Sequence, residues 1–337
     1  MRTPIRLRVL AGALSSLVAA ISLHPRAALA CSVCLPGDPS FSAAGASAQP
    51  AGSVSLYTEF RSWQKVSGAL PHAEPGGGGG GLGAAPAELH FEKNQGQRLD
   101  FYLGGSPIDR VSVALDLPIV FSEVQEIEAP AVERLRTDGL GDIALSTSLV
   151  LWRDREVLPA TWLEARAMLE FPTGESGNFK EAQGDPHVQS GSGSWDFGFG
   201  VAVAHRLASA ALYASAFYRE NTEGSLDYVY GDVVLATAAA EVPLGHLSGV
   251  APLDVLVPGL ALDFRYAERD HFEGLTYVDS GGSILYASPS LRVRIPWLRP
   301  AKPPSLRVAV QIPLVQRWLY GFQEEGRVWS AGLLVPF

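Results

Sequence analysis

The stretch TWLEARAMLEF (Thr161 to Phe171) alternates without a break. Leu163, Ala165, Ala167, Leu169 and Phe171 share one face, and Glu164, Arg166, Met168 and Glu170 share the other. Successive side chains of an extended chain point to opposite faces, so a period of two is strand spacing. The pattern recurs. Val111, Val113, Leu115, Leu117, Ile119 and Phe121 oppose Ser112, Ala114 and Asp116. Leu260, Leu262, Phe264 and Tyr266 oppose Asp263 and Arg265. Leu306, Val308, Val310, Ile312 and Leu314 oppose Arg307, Ala309, Gln311 and Arg317. A chain built this way is all-β, with one apolar and one charged side to each strand.

Twelve such segments are expected, at 52–65, 88–104, 109–123, 139–152, 158–171, 194–206, 210–220, 230–243, 252–267, 282–296, 304–318 and 326–337. Their connections alternate in length. Long ones follow the odd-numbered strands, among them the loop with Gly76 to Gly81 and the segment from Pro172 to Gly193. Short ones follow the even-numbered strands, such as the turns near Gly104 to Asp109 and at Ala208 and Ser209. Short turns at one end and long loops at the other are the pattern of a transmembrane β-barrel, and an even strand count puts both termini on the periplasmic side.

The ends of the chain fit an exported protein. Arg2, Arg6 and Arg8 precede an uncharged apolar stretch, Val9 to Leu23, and Ala28-Leu29-Ala30 is a small-x-small cleavage site. That is the form of a cleaved signal peptide over residues 1–30. Lipidation of Cys31 is the lesser alternative, because the preceding leucine stands one step late, at Leu29. At the other end Trp329, Ala331, Leu333 and Val335 share an apolar face and the chain closes on Phe337. An amphipathic last strand with a terminal aromatic resembles the signal by which bacterial barrel assembly machinery takes up its clients.

Removing residues 1–30 takes away four arginines and no acid, so the mature chain carries 22 basic and 35 acidic residues, a net charge of −13. No basic footprint for nucleic acid is present. The apolar fraction is 47%, yet no mature segment holds ~18 uncharged apolar residues, which excludes helical membrane spans. Gly 35 and Pro 24 fit a turn-rich β chain.

Period two does not distinguish a soluble sandwich from a barrel whose apolar face meets lipid. The signal peptide, the terminal strand and strands of about eleven residues, near the ~9–11 that cross a bilayer at a tilt, favour the barrel. Trp63, Trp152, Trp195, Trp297, Trp318 and Trp329 lie near strand ends, where interfacial girdles form. Residues 51–337 are therefore read as an antiparallel outer-membrane β-barrel of about 12 strands, seated in outer-membrane lipid.

Its charged face then lines the lumen. The candidates are Glu59, Arg61, Arg98, Asp100, Asp116, Asp142, Glu164, Arg166, Glu170, Asp263, Arg265, Arg292, Arg294, Arg307 and Arg317. Acids dominate the middle strands and arginines the last three, a transverse field that orients polar permeants. The alternative is a lumen closed by its own salt bridges. Gly198, Gly200, Ala202 and Ala204 alternate along the sixth strand, leaving room in the lumen or easing curvature.

No catalytic residue, metal or cofactor is assigned. The glycine run matches G-x-G-x-x-G only because it is all glycine, and no G-x-S-x-G, H-E-x-x-H or phosphate-loop motif occurs. His72, His90, His187, His205, His246 and His271 are scattered without ligand spacing. Both cysteines, Cys31 and Cys34, stand in a C-x-x-C within the periplasmic segment 31–50. Leu35 follows, so the haem motif fails, and no further Cys or nearby His completes a zinc site. A Cys31–Cys34 disulfide is expected in an oxidising compartment, with soft-metal or redox sensing as the alternative.

Four motifs appear in one order: TDGLGDIALSTSLVLW (Thr137 to Trp152), LEFPTG (Leu169 to Gly174), GSGSWDFGFGVAVAHRL (Gly191 to Leu207) and Y-x-x-G-D (Tyr228 to Asp232). That order resembles the outer-membrane transporter-like barrels associated with the meta-pathway of phenol degradation, over roughly Phe101 to the C-terminus. The resemblance implies passage of small, often hydrophobic or aromatic, molecules and carries over no site residue. Within those motifs, Gly139 and Gly141 are expected to allow positive φ where the strand leaves a loop. The expected function is passive or facilitated passage of a small molecule across the outer membrane. A closed-lumen structural or ligand-binding barrel is the alternative, and a barrel enzyme a third.

Overall fold

The structure is a computed structural model that describes residues 51–69, 90–128, 131–176, 189–276, 280–298, 303–318 and 322–337. The expected signal peptide, the segment 31–50 with Cys31 and Cys34, the glycine run and His187 lie outside the described residues. Seventeen strands follow one another: β1 (Val54–Ala69), β2 (His90–Ile108), β3 (Val111–Glu128), β4 (Ala131–Leu140), β5 (Ile143–Arg153), β6 (Thr161–Phe171), β7 (Asp196–Arg206), β8 (Ala211–Glu220), β9 (Tyr228–Val229), β10 (Val233–Glu241), β11 (Leu256–Ala267), β12 (His271–Phe272), β13 (Leu275–Thr276), β14 (Gly282–Arg294), β15 (Ser305–Trp318), β16 (Phe322–Glu325) and β17 (Val328–Pro336). One helix, α1 (Leu244–Ser248), lies in the β10–β11 connection.

Every strand pairs antiparallel with its neighbours, and β1 pairs with both β2 and β17, which closes the sheet on itself. Two positions in the wall are broken strands. β4 and β5 both pair with β3, one beyond the other, and β16 and β17 both pair with β1. Counting each broken strand once gives a closed barrel of twelve. β9, β12 and β13 form a small separate sheet among the loops. A closed barrel has no edge strand, so every wall strand satisfies its backbone groups within the sheet.

The long loop expected after the third strand is instead a hairpin: β3 and β4 stay in register from Ile119↔Leu140 to Glu128↔Ala131. Glu123, Gln125, Arg134 and Arg136 make this stretch polar enough to read as a loop. Beyond the lipid both faces of a strand meet water, and polarity no longer marks its end.

The two faces are reversed relative to a soluble sandwich. Along β6, Glu164, Arg166 and Glu170 are buried while Leu163 is exposed. Along β7, Phe199 and Val201 are 58% and 51% exposed and Ala202 only 2%. Leu260, Leu262 and Phe264 on β11 and Leu306 and Val308 on β15 are likewise exposed. An apolar outer band over a charged interior suits lipid outside and water within. Strands of 11 residues, such as β5 to β7, span ~33 Å along their axes and ~25 Å when tilted ~40°, the height of such a band. Among the described residues no helix is long and apolar enough to cross a membrane.

Trp152, Trp195, Trp297 and Trp329 are exposed, as a girdle requires. Trp63 is not part of it: its indole lies over Gly96 on the inner face, where a Cβ at Gly96 would stand 2.1 Å from Trp63 Cζ2. The Trp318 side chain lies outside the described residues. Arg317 also departs from expectation. The β14–β15 register shifts between Leu285 and Tyr286, with Leu285 opposite Val315 and Tyr286 opposite Pro313. The extra residue flips the parity beyond it, so Arg317 faces Ser283 and is exposed. Proline, which cannot donate to the ladder, commonly marks such a bulge.

At the end where β1 begins and β17 stops, the β2–β3 and β5–β6 turns are short and ionic. Arg110, at φ 68, turns β2 into β3. Arg153 Nη2 meets Asp109 at 2.9 Å and also pairs with Glu156, which accepts from Arg110 Nη2 at 2.6 Å. Asp154 Oδ1 accepts from the backbone N–H of Ala160 and Thr161 at 2.9 and 3.1 Å.

Candidate functional site

The inward positions of β1 are the odd ones, and three of them, Glu59, Arg61 and Lys65, are charged. Arg61 Nη2 donates to Asp100 Oδ2 on β2 at 2.7 Å, and Arg98, also on β2, pairs with Asp100 Oδ1. Arg98 Nη2 continues to Asp116 on β3 at 3.1 Å. Glu59 stands 3.9 Å from Arg61 Nε. Asp100, fully buried, is thus held between two guanidiniums on one wall. One turn further from the termini, Lys65 Nζ meets Glu325 at 3.0 Å, and Arg265 on β11 and Tyr286 on β14 converge on the same carboxylate.

The opposite wall has its own pairs. Arg219 on β8 reaches Glu170 on β6 and Asp196 at the start of β7, both at 2.6 Å, and its Nε donates to Asn221 at 2.7 Å. Nearer the termini Arg166 pairs with Glu164 and lies 5.7 Å from the centre of the Tyr213 ring. Arg206 covers Trp162 at 4.8 Å. Asp263 accepts from Thr237 Oγ1 at 2.7 Å and from Ser288. Arg292 pairs with Glu241, and Arg307 stands opposite Arg292 in the β14–β15 register. Cross-strand partners on one face are the unit of a sheet's side-chain energetics, and here the lumen is braced by charge pairs beside smaller apolar clusters.

Asp142 sits in the break between β4 and β5. Its carboxylate accepts from the N–H of Gly174 at 2.9 Å and from Ser192, N–H at 2.5 Å and Oγ at 2.7 Å, tying two loop segments to the wall. Gly139 and Gly141 are not among the positive-φ residues. They provide clearance instead: a Cβ at Gly141 would lie 3.0 to 3.1 Å from Val120, Pro118 and the Ser190 carbonyl. Tyr228 hydrogen-bonds Asp270 at 2.7 Å and packs edge-on to Tyr230, bracing the small β9–β12–β13 sheet.

The small residues of β7 face inward, and they are occupied. A Cβ at Gly198 would stand 2.2 Å from Phe217 Cζ, and one at Gly200 2.6 Å from Phe217 Cδ2. The ring of Phe217, on β8, lies flat across both glycines. Ala202 and Ala204 likewise pack with Trp162 and Tyr213.

Two cavities result. The one toward the termini is lined by Glu59, Glu241, Asp263 and Arg307 among others. The one toward the loops is lined by Trp63, Arg98, Asp116, Asp142, Glu170 and Arg219 among others. Arg61, Phe217, Leu235 and Arg265 line both, so these four form a collar where the two meet. Glu164 and Arg166 are buried outside either lining, and Arg292 and Arg294 stand on inward positions of β14 below the lower cavity.

Alternation in the sequence marks most of the charged members of this interior. It does not mark Lys65, Arg219 and Glu325, nor the aromatic Tyr213 and Phe217. β8 carries Tyr213 and Phe217 inward and Leu212 and Tyr218 outward, apolar or aromatic on both faces, so its polarity gives no side. Among the described residues no group of His, Cys, Asp and Glu is placed to hold a metal ion.

No family model matches the chain, and no curated protein matches it. Solved structures do. The chain is similar to the COG4313 outer membrane channel from Pseudomonas putida F1, with a TM-score of 0.56 and 15% identity over 86% of this chain and 97% of that one. Weaker likenesses are to a Pseudomonas aeruginosa FadL homologue (TM-score 0.39, 10% identity, 84% and 89% covered) and to the CymD monoaromatic hydrocarbon channel (TM-score 0.38, 8% identity, 86% and 89% covered). What the chain shares with the COG4313 channel is the fold, a closed antiparallel β-barrel.

Proposed function

We propose that this chain is an outer-membrane channel that passes a small hydrophobic or aromatic molecule without energy coupling. The observation that carries the reading is the pair of cavities meeting at the Arg61, Phe217, Leu235 and Arg265 collar inside a closed barrel with an apolar outer face. The likeness to the COG4313 channel supports it. The motif order from Thr137 to Asp232, which resembles barrels associated with phenol degradation, supports an aromatic or apolar permeant. In this reading the termini face the periplasm, the barrel sits in outer-membrane lipid, and Phe337 closes the strand that assembly machinery takes up.

Purified full-length protein in planar bilayers and in liposomes tests this. Stepwise conductance together with flux of small solutes is expected. Silence in both assays would sink the channel.

One observation favours a second reading, a structural or ligand-binding barrel with a closed lumen. Arg61, Arg98 and Arg265 of the interior are buried and ion-paired. Such a barrel would conduct nothing, and substitution of Phe217 by alanine would leave it silent. In the channel, the same substitution widens the collar and raises conductance.

A further inference from the structure

The last inward positions of β14 and β15 carry like charge face to face. Arg292 and Arg307 are direct cross-strand partners, and Arg294 follows one inward step later on β14. Cβ atoms of such partners stand ~5 Å apart, and like charges directly opposite destabilise a sheet. Among the described residues one carboxylate forms a salt bridge with this group, Glu241 with Arg292. Arg307 and Arg294 make no hydrogen bond or salt bridge among the described residues. Two further carboxylates face the group without bonding to it: Glu59, which lies across Gly332 from Arg307 in register and stands 3.9 Å from Arg61 Nε, and Asp254, which acts on Arg294. The Nε atoms of Arg292 and Arg307 are both buried and without a partner. Arg307 lines the cavity on the side of the termini, whose wall continues upward in Leu235, Ala239, Ala261 and Phe217.

A guanidinium offers Nε and Nη as a fork that matches the two oxygens of a carboxylate. An anion here would relieve the Arg292–Arg307 repulsion and satisfy two buried donors at once. The apolar wall above it would take a ring or short chain. We propose that Arg307, flanked by Arg292, is the head-group subsite for a small carboxylate with an apolar body. This rests on the channel reading for its biological meaning, though not for its test.

The test is calorimetric titration of the purified full-length protein in detergent, with bare micelles subtracted, using benzoate, acetate and benzyl alcohol as probes. Benzoate is expected to bind at least tenfold more tightly than acetate, which lacks the ring, or benzyl alcohol, which lacks the charge. Arg307→Gln is expected to weaken benzoate at least tenfold. Glu241→Gln, which removes the competing carboxylate, is expected to tighten it severalfold, an outcome that loss of folding cannot mimic. Equal binding of benzoate and benzyl alcohol overturns the subsite. So does benzoate affinity unchanged within twofold in Arg307→Gln together with no tightening in Glu241→Gln. Arg307-dependent binding in a protein that passes no solute keeps the subsite and overturns the channel. Flux without such binding does the reverse.

Discussion

Asp100 is fully buried and accepts from two arginines on neighbouring wall positions. Removing its charge leaves Arg61 and Arg98 crowded together with Asp116 as the nearest remaining carboxylate. Breaking a buried pair by deleting one partner costs ~3–5 kcal/mol. Asp100→Asn is therefore expected to lower the unfolding free energy in vesicles by about that amount, read from urea titration. Gly198 is constrained by space. Valine there must push the Phe217 ring off β7 and toward the collar, with an overpacking cost of ~1–3 kcal/mol. Reduced conductance together with that destabilisation is the expected result, and unchanged conductance would show that the ring does not set the width. The charges of this interior were legible because each sits at a strict alternate position. Arg317 departs from expectation for one local reason, the extra residue Leu314 next to Pro313, which leaves no mark in polarity.

At the scale of elements, the strands themselves were readable and their ends were not. All twelve wall positions lie where alternation puts them, since lipid on one side and water on the other impose opposite chemistry on neighbouring residues. The β3–β4 hairpin was taken for a loop because, past the lipid, that contrast disappears. The turn from β5 to β6 is held by carboxylates whose pKa values are lowered: Asp154 by the N–H groups of Thr161 and Ala160, Glu156 and Asp109 by Arg153. A carboxylate with a lowered folded pKa contributes stability above its unfolded value, and that contribution fades as pH falls through the folded one. Exchange protection of the Ala160 and Thr161 amides is expected to hold from pH 7 to 5 and to fall below about pH 4, near the ordinary range for Asp. Protection that fell between pH 7 and 6 would point to a different anchor.

For the whole molecule, the outer face is the testable claim. Val201 stands midway along β7 and is exposed. Arginine at a bilayer midplane costs ~2–4 kcal/mol on the lipid face of a barrel. Val201→Arg is expected to show that loss when unfolded from vesicles, and little of it if this face meets water. The inversion of inside and outside cannot be drawn from periodicity alone; the expected signal peptide, the terminal strand and the strand lengths favour it, and the exposed apolar band shows it. The collar was out of reach altogether. It joins Arg61 to Phe217, Leu235 and Arg265, residues that closure brings together from across the chain, and no local pattern encodes a distance through an empty centre.

The wall is also of unequal height. β2 and β3 run 19 and 18 residues, while β6 and β7, further round the wall past β4 and β5, run 11. Eight extra residues at ~3.3 Å, tilted ~40°, add ~20 Å to one side. A membrane meets a level belt, but the surrounding water meets a sloping crown. Among the described strands, the tips of β2 and β3 therefore stand further from that belt than the ends of β6 and β7.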